Sequence, residues 1–178
     1  DGSGNWIYSR TKDITIIDRE KPLCDAGEDQ VVSSGDMVKF SADKCRDNSI
    51  ISNYTWNLTY DDEEIVFYTE KFSFEFSIPG LYAVQLLVVD LFGNTEVDVR
   101  NITVEDTIPP IAVIEGYTVL RVGDRLELDA HLSSDNGGIV KYQWSFDDSG
   151  LKTMDGPILR YHIIEIGDLE VCLTVWDE

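Results

Sequence analysis

The residues of this 178-residue chain that could do chemistry are two histidines and a large excess of acids. Asp and Glu number 34 against 14 Lys and Arg, which gives a net charge of −20. Histidine is the usual acid–base catalyst near neutral pH, but His131 and His162 each lie in an alternating, strand-like run without a second imidazole nearby. We therefore expect surface or packing roles for both. The run Asp61-Asp62-Glu63-Glu64 predicts a solvated hairpin tip, because adjacent acids occur by chance at this acid content.

The sequence carries no motif of a catalytic or nucleotide-binding site. It has no pair of histidines at helical spacing for zinc, no glycine-rich loop leading from a strand into a helix and no serine nucleophile elbow. The negative charge repels phosphate, and no apolar run approaches the roughly 20 residues of a membrane span. We expect no enzyme activity, no nucleic-acid partner and no membrane insertion in this segment; cations or other proteins are better partners.

A repeat with a period of about 88 residues runs through the chain. It is clearest at Tyr54 and Trp56, which recur as Tyr142 and Trp144. At the same offset Pro22 matches Pro110, Gly35-Asp36 matches Gly123-Asp124, and Asp47-Asn48 matches Asp135-Asn136; at an offset of 87, Gly80 matches Gly167, Leu86 matches Leu173 and Asp90 matches Asp177. The chain therefore holds two copies of one unit.

Each unit alternates apolar and polar residues with period two, as in residues 82–88 and 125–128. This period indicates strands with one buried face, and turn residues recur every eight to twelve positions. The spacing predicts an all-β fold of two antiparallel β-sandwiches with about seven strands each. Trp56 and Trp144 lie mid-strand, where each is expected to fill the space between two sheets.

Cysteines and glycan acceptor sequences point to the outside of the cell. Cys24 and Cys45 both belong to the first unit, and Ala112 and Ser133 stand at the same positions of the second. Two cysteines that are present together and absent together behave as a disulfide pair, which would add roughly 3 kcal/mol in an oxidising compartment. Three Asn-X-Thr glycosylation sequences agree with export, although such tripeptides also arise by chance: Asn53, Asn57 and Asn101.

Several segments resemble those of a known family. In the second unit these are Val122-Gly123-Asp124, Tyr142-Gln143-Trp144-Ser145-Phe146-Asp147 and Val171-Cys172-Leu173-Thr174-Val175-Trp176-Asp177; in the first they are Gly35-Asp36, Tyr54-Thr55-Trp56 and the strand from Gly80 to Asp90. Each unit thereby resembles a PKD domain, an immunoglobulin-like β-sandwich of cell-surface and secreted proteins. The first unit departs from the family's Trp-Asp-Phe-Gly-Asp-Gly turn, since Trp56 is followed by Asn57-Leu58-Thr59-Tyr60.

The resemblance also implies a ligand, because some PKD-like domains bind calcium. The site lies between the incoming linker, the loop after the second strand and the end of the penultimate strand. Carried over, the metal ligands are Asp47 and Asp90 in the first unit, and Asp106, Asp135 and Asp177 in the second. The second unit is the better candidate, because Lys21 precedes the first unit and would compete with a cation. The alternative is that Asp47 and Asp135 only cap turns.

The repeat places the domain limits out of phase with the ends of the chain. Residues 1–19 match the last strand of a unit, residues 20–106 form the first sandwich, and residues 107–178 form a second sandwich without its last strand. The apolar residues of the orphan strand are Trp6, Ile7, Tyr8, Ile14, Ile16 and Ile17. Either the chain is a stretch of a longer tandem array, or the strand completes the last unit of the next copy and joins copies head to tail.

The function expected from these features is a non-enzymatic structural module of an extracellular surface or filament protein. Its partners would be neighbouring copies of itself or adjacent domains of the same long chain. The alternative is an accessory carbohydrate- or protein-binding region of a larger secreted hydrolase. That role would need exposed aromatic residues, of which Tyr60, Phe67, Tyr68 and Trp176 are candidates.

Overall fold

The computed structural model describes residues 2, 4, 11–147 and 150–177, which form thirteen strands. In chain order they are β1 (Gln30–Ser33), β2 (Asp36–Ser41), β3 (Ile51–Tyr60), β4 (Glu63–Phe67), β5 (Lys71–Phe76), β6 (Gly80–Asp90), β7 (Thr95–Glu105), β8 (Glu115–Gly116), β9 (Arg125–Asp129), β10 (Lys141–Asp147), β11 (Leu151–Asp155), β12 (Ile158–His162) and β13 (Val171–Trp176). The described residues contain no helix of the length and hydrophobicity that crossing a membrane requires.

The first unit contains seven strands in two sheets, as predicted. One sheet has the order β1-β7-β6-β3-β4, and the other pairs β2 with β5. All pairs are antiparallel except β1 with β7, which run parallel. The parallel pair differs from the all-antiparallel expectation. It arises because β1 lies beside the last strand of the larger sheet before the chain turns at Gly35 (φ 89°) into β2 of the smaller one.

Aromatic side chains fill the space between these two sheets. Trp56 on β3 is 0% exposed and lies 5.7 Å from the Phe40 ring on β2 and 5.5 Å from the Phe72 ring on β5, measured between centroids. Its Nε1 donates a hydrogen bond to the Thr69 carbonyl at 3.1 Å, so the one polar atom of the ring is satisfied. Burial of such a side chain is worth several kcal/mol, and the predicted role of this tryptophan is confirmed.

The second unit repeats this plan with fewer strands. Its sheets have the orders β11-β10-β13 and β12-β9-β8. Trp144 is 0% exposed, and its Nε1 donates to the Gly156 carbonyl at 2.9 Å. The segment that corresponds to β1, residues 118–121, forms no strand, and Val119 in it is exposed. Within the described residues β13 pairs with β10 only, whereas its counterpart β6 pairs with both β3 and β7.

The described part of the predicted orphan strand lies outside any sheet. Residues 11–19 have no strand conformation, and Ile14, Ile16 and Ile17 are exposed. A strand is held by the backbone hydrogen bonds of a neighbouring strand, and none of the described residues pairs with this segment. Trp6, Ile7 and Tyr8 lie outside the described residues. A role of the segment as a strand for another unit stays a prediction.

Candidate metal centres

Two groups of three aspartates bring carboxylate oxygens within 4.8 Å of one another. We name them the first acidic cluster (Asp18, Asp47 and Asp90) and the second acidic cluster (Asp106, Asp135 and Asp177). The five aspartates chosen from the sequence all fall into these clusters, divided between the units as expected. The structure brings these carboxylates together, and the binding of a metal ion by them remains a prediction.

Asp18 is the member that the sequence reasoning missed. It precedes Asp106 by 88 residues, which is the offset of the repeat, so the repeat contained the signal. The sequence prediction instead names Lys21, at the entry to the first unit, as a charge that would compete with a bound cation. Lys21 Nζ forms an ion pair with Glu96 Oε2 at 2.9 Å. Glu96 is not a member of the first acidic cluster.

Matching backbone contacts position the two clusters. In the first unit Leu23 and Arg46 exchange backbone hydrogen bonds of 2.7 and 3.0 Å, which holds the incoming segment beside the loop that begins at Asp47. In the second unit Ile111 and Ser134 do the same at 2.8 and 3.0 Å, directly before Asp135. The third aspartate ends or follows a central strand: Asp90 is the last residue of β6, and Asp177 follows β13.

Part of each carboxylate stabilises a turn. Asp47 Oδ2 accepts hydrogen bonds from the Ser49 amide at 2.7 Å and from the Ser49 hydroxyl. Asp135 Oδ2 accepts from the amides of Gly137 and Gly138 at 2.7 and 3.1 Å. Asp90, 1% exposed, accepts from the amides of Phe92 and Asn94 and from the Asn94 side chain at 2.7–2.8 Å. The turn-capping role considered for Asp47 and Asp135 is therefore real.

Four oxygens of the two clusters have no such role. Within the described residues, Asp18 Oδ2 and Asp47 Oδ1 in the first cluster, and Asp106 Oδ2 and Asp135 Oδ1 in the second, are buried atoms without a hydrogen-bond partner. A buried carboxylate oxygen without a donor is costly, and two of them face like charges within each cluster. The donor set is all oxygen with three negative charges, which matches the preference of Ca²⁺.

Electrostatics keep Asp18 ionised. The backbone amide of Glu20 donates to its Oδ1 at 2.9 Å and lowers the pKa of Asp18 below its ordinary value, and the Asn48 side chain at 3.2 Å acts in the same direction. A carboxylate that stays charged is available to a cation at neutral pH.

The structure has the predicted disulfide residues as neighbouring free thiols. Cys24 and Cys45 flank the Leu23–Arg46 bridge, so they are opposite one another on antiparallel segments. Burial, and then the neighbouring Cys45, raise the pKa of Cys24 to about 12. The Asp25 amide donates to Cys45 Sγ at 3.3 Å, much as the Val113 amide donates to Ser133 Oγ at 2.9 Å in the other unit. The disulfide itself stays a prediction.

The histidines and the aromatic residues considered for carbohydrate binding have ordinary surroundings. His131 Nδ1 lies 2.6 Å from Asp129 Oδ1 at the surface, and His162 is exposed at the end of β12. Tyr60 and Phe67 pack against the first core. Tyr68 is exposed, and Trp176 lies in the other unit beneath the Lys141 ammonium group, 4.8 Å from the ring centroid.

The chain is a tandem pair of immunoglobulin-like β-sandwiches. Each has two sheets, a tryptophan-centred core and one acidic cluster. The model of the PKD domain family matches residues 19–104 and 107–178, so the chain belongs to the PKD domain family, as the resemblance predicted. PKD modules are generally non-catalytic, and they place this chain outside the cell or at its surface.

A curated relative is the Dyslexia-associated protein KIAA0319-like protein of Mus musculus. It is 27% identical over 151 residues, which cover 78% of this chain and 14% of the relative. The chain thus spans about a seventh of that protein's length.

Two solved structures align with most of this chain. One concerns carbohydrate-binding modules of the β-sandwich superfamily, with 15% identity, coverage of 88% of this chain and 84% of that chain, and a TM-score of 0.42. The other is DIP-gamma IG1+IG2, with 13% identity, coverage of 82% and 84%, and a TM-score of 0.45. The fold assignment rests on the strand pairing described above, not on these similarities.

Proposed function

We propose that the chain is a structural module of an extracellular surface or filament protein, in which calcium fastens each sandwich to the segment that precedes it. The observation that carries the proposal is the origin of the ligands. In the second acidic cluster Asp106 comes from the linker after β7, whereas Asp135 and Asp177 belong to the second unit. One ion held by all three would join the linker to the sandwich.

Direct contacts between the units support a fixed junction. The Asn136 side chain donates to the Ser77 carbonyl of the first unit at 2.9 Å. The loop that carries Ser77 is itself held by tyrosines: Tyr60 Oη accepts from the amides of Ser77 and Ile78 at 2.8 and 2.9 Å, and Tyr82 Oη donates to the Ile78 carbonyl at 2.8 Å. Calcium at Asp135 would stabilise the neighbouring Asn136 and with it this contact.

Assembly would be end to end, by strand complementation or as consecutive units of a longer array. Ile14 and Ile16 precede Ile102 and Val104 by 88 residues, and the latter two are buried core residues of β7. Ile14 and Ile16 are instead 78% and 87% exposed. A segment with the β7 pattern next to β13 would bury such residues, whether it came from another copy or from an adjoining unit.

We further propose the Cys24–Cys45 disulfide for the secreted protein. The two residues face each other across antiparallel segments, a geometry that spans the Cα separation of a disulfide. The bridge would tie the incoming segment to the loop of Asp47 and so hold two parts of the first acidic cluster together.

The accessory-module alternative has less support. Carbohydrate-binding surfaces use coplanar exposed aromatics, and Tyr60 and Phe67 are packed against the core. Tyr68 and Trp176 belong to different units.

Small-angle X-ray scattering with and without calcium tests the proposal. With calcium we expect a narrow distribution of interatomic distances, and after EGTA a broader one, because the junction loses its ion. A buffer matched in ionic strength with NaCl controls for screening of the net charge of −20. Scattering that is unchanged by calcium would contradict the proposed junction. Light scattering over a concentration series separates the assembly modes, since strand complementation between copies gives oligomers and an array segment stays monomeric.

A further inference from the structure

The outer face of the three central strands of the larger sheet of the first unit, β3, β6 and β7, carries no ionisable side chain. Strand alternation puts Trp56, Val84, Val88, Ile102 and Val104 toward the core. The residues between them point outward on the three central strands: Asn53, Thr55, Asn57 and Thr59 on β3, Leu81, Ala83, Gln85, Leu87 and Val89 on β6, and Thr95, Val97, Val99, Asn101 and Thr103 on β7. None of these side chains is ionisable, on a chain with 48 charged residues in 178 (34 acids and 14 bases).

Three glycan acceptor sequences, which are all that the 178 residues contain, lie on this one face. Asn53 and Asn57 lie on β3, and Asn101 lies on β7, on either side of β6. Between them is an apolar stripe in which Leu87 pairs with Val97, and Val97 and Val99 remain 43% and 42% exposed. Because residues two apart in a strand share a face, each acceptor Asn lies beside the Thr of its own sequence.

The second unit supplies an internal comparison. Its corresponding outer face carries Lys141 and Asp147 on β10, with the Lys141 ammonium group over the Trp176 ring. Its one asparagine, Asn136, is followed by Gly137-Gly138 and is not an acceptor. The same fold therefore has a charged face where acceptors are lacking and an uncharged face where they occur.

We propose that N-linked glycans cover the outer face of the first unit, attached to Asn53, Asn57 and Asn101. The proposal goes beyond the structural role proposed above and requires only that the chain pass through a secretory pathway. The donor is an oligosaccharide carried on a lipid diphosphate. The Asn Nδ2 forms a bond to the anomeric carbon of the first sugar, the bond from that carbon to the diphosphate oxygen breaks, the Nδ2 proton passes to a base of the transferase, and the lipid diphosphate leaves.

The local contacts rank the three acceptors. Among the described residues, exposed Asn53 Nδ2 hydrogen-bonds only to the Thr55 hydroxyl, at 3.4 Å. Asn57 is half-buried, and its Oδ1 has no hydrogen-bond partner among them. Asn101 Nδ2 donates to Asp29 Oδ2 at 3.1 Å, a bond that glycosylation would disturb. We expect the highest occupancy at Asn53 and the lowest at Asn101.

Intact-mass and peptide mass spectrometry of the full chain, secreted from a eukaryotic cell line alongside a known glycoprotein, test the proposal. Glycans on two or three of the asparagines support it; glycans on one or none overturn it. The matched variants are Thr59→Ser, which keeps the Asn57 acceptor sequence, and Thr59→Ala, which destroys it; Thr59 is exposed, so both should fold. The mass of one glycan should be lost from Thr59→Ala only; a mass difference equal to the Ser-to-Ala change alone would show that Asn57 carries no glycan. Calcium dependence of the scattering is measured separately, so failure of one proposal leaves the other standing.

Discussion

Replacing Asp135 by Asn should separate calcium binding from turn capping in the second unit. Asn keeps an oxygen that can accept from the amides of Gly137 and Gly138, but it removes one of the three charges of the second acidic cluster. Calcium sites in extracellular modules have Kd values of about 10⁻⁴–10⁻³ M, so 10 mM calcium is about 10–100 times Kd. Binding then stabilises the folded unit by about 1.4–2.7 kcal/mol. For a unit matched over residues 107–178, this corresponds to a rise in Tm of about 9–18 °C.

Differential scanning calorimetry in EGTA and in 10 mM calcium measures this shift. We expect Asp135→Asn to weaken calcium binding at least tenfold, which costs about 1.4 kcal/mol and halves the Tm shift of the second unit or more. The matched control is Asp124→Asn, because Asp124 also caps a turn, accepting from the Arg121 amide at 2.8 Å, but lies outside the cluster. A full calcium shift in Asp135→Asn, or none in the unaltered chain, would refute the reasoning.

Three further experiments, two substitutions and one alkylation measurement, test the surroundings of the clusters. Gly137→Ala would place a Cβ inside contact distance of Asp106 Oδ2, so calcium titration should show weaker binding. Gly2→Ala, whose added Cβ meets none of the described residues, should not change it. Tyr60→Phe leaves two amides without their acceptor and should lower the free energy of unfolding by about 1–3 kcal/mol in a urea titration; a loss below 0.5 kcal/mol would argue against the bonds. In reduced protein at pH 8, the raised pKa of Cys24, from 9.0 to about 12, leaves about 1000-fold less thiolate than in an ordinary thiol, so Cys24 should be alkylated more slowly; reaction at the rate of exposed Cys172 would contradict its burial.

The repeat made the fold and most of the clusters predictable. Alternation of apolar residues sets which face of a strand is buried, so the core positions of Trp56 and Trp144 followed from the sequence. The offset of 88 relates Asp18 to Asp106, but the nearby positive charge of Lys21 argued against a cation site at the entry to the first unit, so Asp18 was not predicted. The Asn136–Ser77 contact had no sequence signal, since a side-chain bond between units depends on how two surfaces meet and not on a local period.

The loop from Asp135 to Gly138 gives the two clusters unequal mechanical roles. Asp135 would supply a ligand to calcium, the Asn136 side chain donates to the first unit, and Gly137 leaves room for the Asp106 carboxylate of the linker. In the first unit the equivalent Asn48 instead donates to Asp18, a member of its own cluster. An ion at the second cluster would therefore restrain both the linker and the surface that contacts the other unit. Loss of that ion should soften the junction before it unfolds either sandwich, because side-chain packing around Trp56 and Trp144 holds the cores without an ion.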